Sequence, residues 1–319
     1  NENPYPPSPK VAKALQALDI SHLRRYPVPL AKELCQVVSD VFHVPSDWII
    51  VGNGSDDILN LVVRACAGQG RYVVYPTPTF VLYRTLSAMQ PADVVEVPYD
   101  ESFQLPTTEL IAADGAITFI ASPNSPSGHV VPLDDLRTLA NSLSGILVID
   151  EAYVDFAEAS ALPLVLEFEN VIVLRTLSKG YSLAGLRVGF GIANPKLLAG
   201  LFKLKDSYNV DAIALALGAA AIRDQSYKIA RANQIKASRT KLFKDLTHLG
   251  FSVLESHGNF VLATIKTHPA ESLYLGLKEH GILVRYFKQA GLENKLRISV
   301  GTEEENTMLI KALANLTQT

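Results

Sequence analysis

A lysine and an arginine stand just past an apolar run in the segment RTLSKGYSLAGLRVGF, residues 175–190. Lys179 follows Ser178, and Arg187 comes eight positions later. A lysine near a second cation and a helix start can have a lowered pKa, which makes its amine a nucleophile. An exposed surface lysine is the commoner alternative. The planar guanidinium of Arg187 suits a phosphate, and the hydroxyls of Thr176 and Ser178 could bind the same anion.

A second candidate anion site lies in GNGSDD, residues 52–57, between a strand-like and a helical pattern. The free backbone N–H groups of Ser55 and Asp56 at the start of a helix could bind a phosphate. An ordinary capped turn is the alternative for this segment taken alone. The motif is neither a Walker loop nor G-x-G-x-x-G, so it does not indicate nucleotide binding.

A carboxylate ends the apolar run ILVID, residues 146–150. Burial of Asp150 is costly unless a cation or a hydrogen-bond donor meets it. One candidate partner is the pyridinium nitrogen of pyridoxal phosphate, whose protonated ring serves as an electron sink. A helix-capping role is the alternative.

The elements that must position these residues are read from the hydrophobic pattern. Near-continuous apolar runs alternate with helical patterns, as in strands buried on both faces of a mostly parallel sheet. We therefore predict an α/β domain, in which ligands bind beyond the carboxyl ends of the strands. The predicted strands are residues 48–51, 72–75, 93–97, 117–121, 146–150, 171–174 and 188–193.

The pattern changes in the last third of the chain. Shorter alternating strands mix with helical segments there, which predicts a smaller α+β domain. We predict a large domain over residues 20–224 and a smaller domain formed by residues 1–19 and 225–319.

Composition narrows the class of protein. The chain has 29 Lys and Arg against 32 Asp and Glu among 319 residues, which argues against a nucleic-acid-binding surface but not against a small anionic ligand. Only two cysteines occur, too few for a disulfide framework, so we predict a cytoplasmic protein. No apolar run reaches the roughly 18 residues that span a bilayer, so no membrane partner is predicted. No metal site is predicted either.

Five segments closely resemble histidinol-phosphate aminotransferases, within the aminotransferases of the aspartate-aminotransferase fold. The similarity runs from NENPY near residue 1 to VGT at residues 300–302. It implies fold type I of the pyridoxal-phosphate enzymes, pyridoxal 5'-phosphate as cofactor and a homodimer with shared active sites. The segments are DEAYVDF, RTLSKGYSLAGLRVGF, NGSDDILNLVVRA, PTPTFVLY and LRISVGT.

The resemblance assigns roles around the cofactor. Lys179 would bind it covalently and then move the substrate proton, Asp150 would pair with the ring nitrogen, and Tyr153 would donate to the ring oxygen. Phe80 would stack on the ring. The residues that would hold the phosphate are Ser55, Asp56, Thr176, Ser178, Arg187 and Tyr26, the last reaching the cofactor of the neighbouring subunit.

The resemblance also assigns substrate contacts. Arg297 would bind the anionic head of the substrate, with Arg285, Asn259 and Tyr5 nearby. One departure from the family pattern stands in SPNSPSG, where Ser125 occupies the position of an asparagine that binds the ring oxygen. We predict that Asn124 or Ser125 takes this role, although neighbouring residues of an extended segment point opposite ways.

The implied reaction is transamination between histidinol phosphate and 2-oxoglutarate, a step of histidine biosynthesis that yields imidazole acetol phosphate and glutamate. An aromatic amino-acid aminotransferase is the first alternative, because the side-chain pocket cannot be assembled from sequence. A phosphothreonine-type decarboxylase is the second, since those enzymes resemble this branch. A non-catalytic cofactor-binding regulator is disfavoured by the absence of a DNA-binding extension in this sequence.

Overall fold

The larger of two sheets organises the fold of the computed structural model, which describes residues 1–100 and 102–318. It has seven strands in the order β1-β7-β6-β5-β4-β2-β3. Neighbouring strands from β6 to β3 run parallel, and β7 is antiparallel to both of its neighbours. The strands are β1 (Ile49–Gly52), β2 (Val73–Thr77), β3 (Val94–Pro98), β4 (Ile117–Ala121), β5 (Ile146–Asp150), β6 (Val171–Thr176) and β7 (Gly189–Ala193).

A second sheet is fully antiparallel, with four strands in the order β10-β11-β9-β8. Together the two sheets confirm the predicted α/β fold with a mostly parallel central sheet and a smaller α+β part. The strands of the second sheet are β8 (Ser252–Val253), β9 (Phe260–Thr264), β10 (Arg285–Tyr286) and β11 (Lys295–Ser299).

Helices cover both sheets, and three buried clusters form the cores. One apolar cluster lies on each face of the seven-stranded sheet, which explains why its strands read as continuous apolar runs. A third cluster fills the smaller part. The helices are α1 (Pro9–Gln16), α2 (Lys32–Phe42), α3 (Ser55–Cys66), α4 (Leu82–Met89), α5 (Thr107–Ala113), α6 (Leu133–Ser142), α7 (Leu164–Glu167), α8 (Pro195–Phe202), α9 (Ala212–Ile222), α10 (Gln225–His248), α11 (Ala270–Glu279) and α12 (Glu303–Gln318).

The packing of the first residues bears on the predicted domain boundaries. Val11 of α1 is buried in a core of the seven-stranded sheet, whereas Tyr5 packs against the core of the smaller part. The predicted assignment of all of residues 1–19 to the smaller domain therefore does not describe α1. The division near residue 224 stays a prediction. Among the described residues, no helix combines the length and apolar character needed to cross a bilayer.

A tight contact joins the two parts at Gly128. This residue has φ of +82°, and a Cβ atom there would lie 2.1 Å from Ser256 Oγ. The adjacent His257 N–H donates to the Gly128 carbonyl oxygen over 2.7 Å. The contact requires both the left-handed backbone and the missing side chain.

We expect Gly128→Ala to lower the free energy of unfolding by at least about 2 kcal/mol, through backbone strain and overpacking. Urea unfolding would measure this. The matched control is Gly200→Ala in α8, where a Cβ would meet nothing within 4 Å. That change should stabilise the helix by up to about 1 kcal/mol. Equal midpoints for the two variants would contradict the expectation.

Candidate active site

A cavity of about 270 Å³ lies at the carboxyl ends of the parallel strands. Asp150 lies at the end of strand β5, Lys179 in the segment after β6, and Ser55 at the start of α3. Arg297, on β11 of the smaller sheet, also lines the cavity. Eleven of the residues predicted from sequence line it: Ser55, Asp56, Phe80, Ser125, Asp150, Tyr153, Thr176, Ser178, Lys179, Arg187 and Arg297.

The Lys179 amine lies partly buried in this cavity. Burial, followed by the nearby Arg297 guanidinium, lowers the pKa of the Lys179 amine. Its Nζ is 5.9 Å from the centre of the Tyr153 ring. The backbone is also fixed, because Asn3 Nδ2 donates to the Lys179 carbonyl oxygen over 2.9 Å. A larger fraction of this amine is therefore neutral than for a lysine in water.

Arg187 and the start of α3 form one polar pocket wall. Arg187 Nη2 donates to Asp56 Oδ2 over 3.1 Å, and its Nη1 donates to Ser178 Oγ over 3.3 Å. The Thr176 hydroxyl donates to Ser178 Oγ over 2.9 Å. Gly54 has φ of +79°, and a Cβ there would lie 2.5 Å from Arg187 Nη2, so another residue would be strained and would displace the guanidinium. Backbone N–H groups, hydroxyls and a guanidinium thus converge, as a phosphate requires.

The arrangement of residues 175–190 follows from the antiparallel strand. Thr176 at the end of β6 pairs in register with Gly189 at the start of β7. The chain therefore leaves the sheet edge and returns to the same edge between these two residues. One continuous loop consequently presents both Lys179 and Arg187 to the cavity.

Asp150 is a buried carboxylate with two donors. Tyr83 Oη donates to its Oδ2 over 3.0 Å, and the Ala152 N–H donates to its Oδ1 over 3.1 Å. Burial raises the pKa of Asp150 to about 6, while the Tyr83 hydrogen bond acts in the opposite direction. The salt bridges described in the structure include none to Asp150.

The opposite wall is built around Arg297. Its Nη1 donates to Ser125 Oγ over 2.8 Å, and its Nη2 donates to Asn1 Oδ1 over 3.2 Å. The guanidinium also lies over Phe260, 5.4 Å from the ring centre. Its Nε is buried, and the described residues offer it no hydrogen-bond partner. The guanidinium lines the cavity and has more N–H groups than these hydrogen bonds use, so it retains donor capacity for an anion.

Two predicted cofactor residues lie outside the cavity lining. Asn124 is fully buried, where its Oδ1 accepts from Thr79 Oγ1 over 2.7 Å and its Nδ2 donates to Ser127 Oγ over 2.9 Å. Of the two candidates for the missing asparagine, only Ser125 lines the cavity. Tyr26 is 80% exposed and stacks on Tyr208, with ring centres 4.4 Å apart.

Three predicted substrate residues also lie outside the lining. Arg285 pairs with Arg297 in the β10–β11 register, and its guanidinium lies 5.5 Å from the centre of the Phe287 ring. Asn259 is buried, its Nδ2 donates to the Asn1 carbonyl oxygen over 3.1 Å, and its Oδ1 has no partner among the described residues. Tyr5 lies under the Arg231 guanidinium at 5.2 Å.

Sequence reasoning missed three residues at the site. Asn1 and Glu2 line the cavity, and Asn1 Nδ2 donates to the Tyr153 hydroxyl. Tyr83 lies behind Asp150 and makes an edge-to-face contact with Phe80, with ring centres 5.7 Å apart. The only sequence signal for Tyr83 is its place three residues after Phe80, which amounts to nearly one helical turn.

The site fits pyridoxal phosphate on its own geometry. A buried carboxylate, an amine of lowered pKa and a guanidinium cradle at a helix start match the ring nitrogen, aldehyde and phosphate of that cofactor. Among the described residues, no group of three or more His, Cys, Asp or Glu side chains is arranged to hold a metal ion.

Comparisons agree on the class of protein. Residues 1–313 match the family model described as aminotransferase class I and II. A crystal structure of histidinol-phosphate aminotransferase from Sinorhizobium meliloti, in complex with pyridoxal-5'-phosphate, superposes with a TM-score of 0.93 at 27% identity. The superposition covers 100% of this chain and 89% of that one. The chain is thus a class I and II aminotransferase by family and by fold.

Curated relatives narrow the family. The histidinol-phosphate aminotransferase 1 of Trichormus variabilis is 66% identical over 99% of this chain and 90% of its own length. The histidinol-phosphate aminotransferase of Citrifermentans bemidjiense is 43% identical over the same shares. The chain therefore belongs to the histidinol-phosphate aminotransferase family.

Proposed function

We propose that the protein transfers the amino group of histidinol phosphate to 2-oxoglutarate with pyridoxal phosphate as cofactor, giving imidazole acetol phosphate and glutamate. The observation that carries this is the convergence of Lys179, Asp150 and Arg187 on one cavity that Arg297 closes from the smaller sheet. The names of the relatives described above support the substrate. They do not favour an aromatic aminotransferase or a phosphothreonine-type decarboxylase.

The residues around the cofactor have different roles in the proposed reaction. When bound, pyridoxal phosphate supplies a protonated ring that accepts the electrons of the substrate Cα–H bond. We assign the proton transfer to the Lys179 amine, because its lowered pKa leaves part of it neutral. Asp150 would balance the charge of the ring nitrogen, and Phe80 and Tyr153 would contact the ring. The phosphate would be held by Arg187, Thr176, Ser178 and the backbone at Ser55 and Asp56.

The substrate end of the site must accept two different molecules. Histidinol phosphate carries a phosphate, and 2-oxoglutarate carries carboxylates. A guanidinium donates two parallel hydrogen bonds to either group, so Arg297 can serve both half-reactions. Ser125 Oγ already accepts from Arg297, which fixes the guanidinium plane before substrate arrives. Arg285, Asn259 and Tyr5 remain proposed substrate contacts from the resemblance.

We expect Arg297→Lys to raise KM for both substrates by about 10- to 100-fold, because a single ammonium loses one of two charge-assisted hydrogen bonds. Steady-state kinetics of each substrate would measure this. Arg137→Lys is the matched control, since Arg137 pairs with Asp134 on the surface. KM values within about twofold of wild type for both variants would remove Arg297 from the substrate site.

A rate comparison tests the proposed reaction itself. Histidinol phosphate, phenylalanine and phosphothreonine are each supplied with 2-oxoglutarate, and glutamate and carbon dioxide are measured. The proposal requires the highest kcat/KM for histidinol phosphate and no carbon dioxide. Faster turnover of phenylalanine would identify an aromatic aminotransferase, and carbon dioxide release would identify a decarboxylase.

We also propose a homodimer in the cytoplasm. The segment that contains Tyr26 carries exposed apolar side chains, including Ile20 at 78% and Val28 at 55% exposure. Such a cluster suits a protein interface, and the resemblance predicts that Tyr26 contacts the cofactor of the second subunit. Cys35 and Cys66 are both free thiols, which agrees with a reducing compartment. A fully active monomer in sedimentation would contradict the shared site.

A further inference from the structure

A buried tyrosine stands directly behind the carboxylate of Asp150. Tyr83, on α4, has no exposed surface, and its hydroxyl donates to Asp150 Oδ2 over 3.0 Å. Asp150 lines the cavity, whereas Tyr83 does not. Any effect of Tyr83 on a ligand in the cavity must therefore pass through its neighbours.

The Tyr83 ring is held in one orientation. It stacks on Phe119 of β4, with ring centres 4.6 Å apart and planes 7° apart. It also meets the edge of Phe80, a lining residue, at 5.7 Å. Contacts of this kind fix an aromatic side chain more firmly than burial alone. The hydroxyl consequently has a defined position relative to Asp150.

We propose that Tyr83 is a positioning residue that keeps the Asp150 carboxylate charged and oriented for the ring nitrogen of the cofactor. This inference rests on the proposed function, because it requires pyridoxal phosphate in the cavity. Burial raises the pKa of Tyr83 well above its ordinary value, so the hydroxyl keeps its proton and stays a donor across the working pH range.

The hydrogen bond from Tyr83 opposes the effect of burial on the pKa of Asp150. Burial raises the pKa of Asp150 to about 6, and a hydrogen bond to the charged form works against that rise. The negative charges of Asp56 and Glu151 also raise it. The other titratable groups that face this pair are Tyr153 and Tyr99, with Lys179 across the cavity. All of these remain when only the Tyr83 hydroxyl is removed.

Tyr83→Phe should therefore move the Asp150 titration upward by about one pH unit, toward neutrality. A neutral carboxyl cannot pair with a protonated ring nitrogen, so cofactor binding should weaken as the pH falls. We expect apo-protein carrying Tyr83→Phe to bind pyridoxal phosphate about fivefold more weakly than wild type near pH 6, and within about twofold of wild type near pH 8.5. Fluorescence titration of the apo-proteins measures both affinities.

Three controls separate this role from packing. Tyr75→Phe removes a similar hydrogen bond, from a tyrosine hydroxyl to Glu96 over 2.8 Å, and should leave the affinity unchanged. A cofactor analogue with carbon in place of the ring nitrogen should show no pH-dependent loss with Tyr83→Phe. In an Asp150→Asn background, Tyr83→Phe should add no pH-dependent loss.

The measured affinities test the proposed function and the role of Tyr83 separately. Failure of wild-type protein to bind pyridoxal phosphate would contradict the proposed function. If wild type binds the cofactor, an equal loss at both pH values, a loss shared by the carbon analogue, or no loss at all would overturn the role of Tyr83. Circular dichroism melting of the variant ensures that folded protein is compared.

Discussion

Lys179→Ala is expected to lower kcat by on the order of 10⁴-fold or more, because it removes both the nucleophile and the general base of the proposed reaction. The amine lies in the cavity with a lowered pKa, and the methyl group of alanine can neither bind the cofactor covalently nor move a proton. Stopped assays with histidinol phosphate would measure the loss. Lys179→Arg should fail equally, since it restores the charge but not the amine.

A chemical readout accompanies the kinetics. Borohydride reduction of wild-type protein with pyridoxal phosphate should attach the cofactor to Lys179, which peptide mass spectrometry would locate. The control Lys196→Ala removes an exposed lysine that pairs with Glu169 and should retain activity and labelling. Turnover near the wild-type rate in Lys179→Ala, or a label on another lysine, would refute the assignment.

Asp150→Asn is expected to lower kcat by about 10²- to 10³-fold, the usual loss when one preorganised electrostatic group is removed. The amide has nearly the shape of the carboxylate but no charge to balance a protonated ring nitrogen. The Ala152 N–H can still donate to the amide oxygen, and the new amide N–H can donate to the Tyr83 hydroxyl oxygen, so the melting temperature should change little. Steady-state kinetics and a melting curve on the same preparation would test both parts.

The neighbouring carboxylate offers a matched contrast. Glu151 is also buried, but it pairs with Arg175 over 2.8 Å instead of lining the cavity. Breaking a buried ion pair costs about 3 to 5 kcal/mol, so Glu151→Gln should lower stability and leave kcat of the folded protein near wild type. The reverse pattern, with Glu151→Gln lowering kcat and Asp150→Asn lowering stability, would exchange the two roles.

Much of the fold could be predicted from sequence, because a strand that is buried on both faces of a sheet has a nearly continuous run of apolar residues. The inner strands of the seven-stranded sheet appear in the sequence as nearly unbroken apolar runs, whereas the edge strand β3 is mostly exposed and contains Glu96. Since ligands bind at the carboxyl ends of such strands, the sequence alone predicts that Asp150 and Lys179 lie at the same edge of the sheet. Their roles at that edge came from the family resemblance and stay proposals.

Other parts of the site depend on side-chain direction and long-range packing, which the pattern does not contain. Ser125 lines the cavity while Asn124 turns into the protein, and spacing alone could not choose between them. Tyr83 and Asp150 are 67 positions apart in the sequence, and their contact depends on how α4 packs against the sheet. The sequence pattern therefore does not predict it. Tyr26 is exposed in the single chain, and its contact with the cofactor of a second subunit stays a proposal.

The loop that leaves β6 at Thr176 and returns at Gly189 has a consequence for how this enzyme can change. The Lys179 amine and the Arg187 guanidinium lie on the same short loop, whose two ends, Thr176 and Gly189, pair with each other in the β6–β7 ladder. An inserted or deleted residue within this loop would displace both Lys179 and Arg187 from their positions in the cavity. We therefore expect related sequences to differ in length at surface turns but not in this loop, even at loop positions where the side chain itself can be substituted.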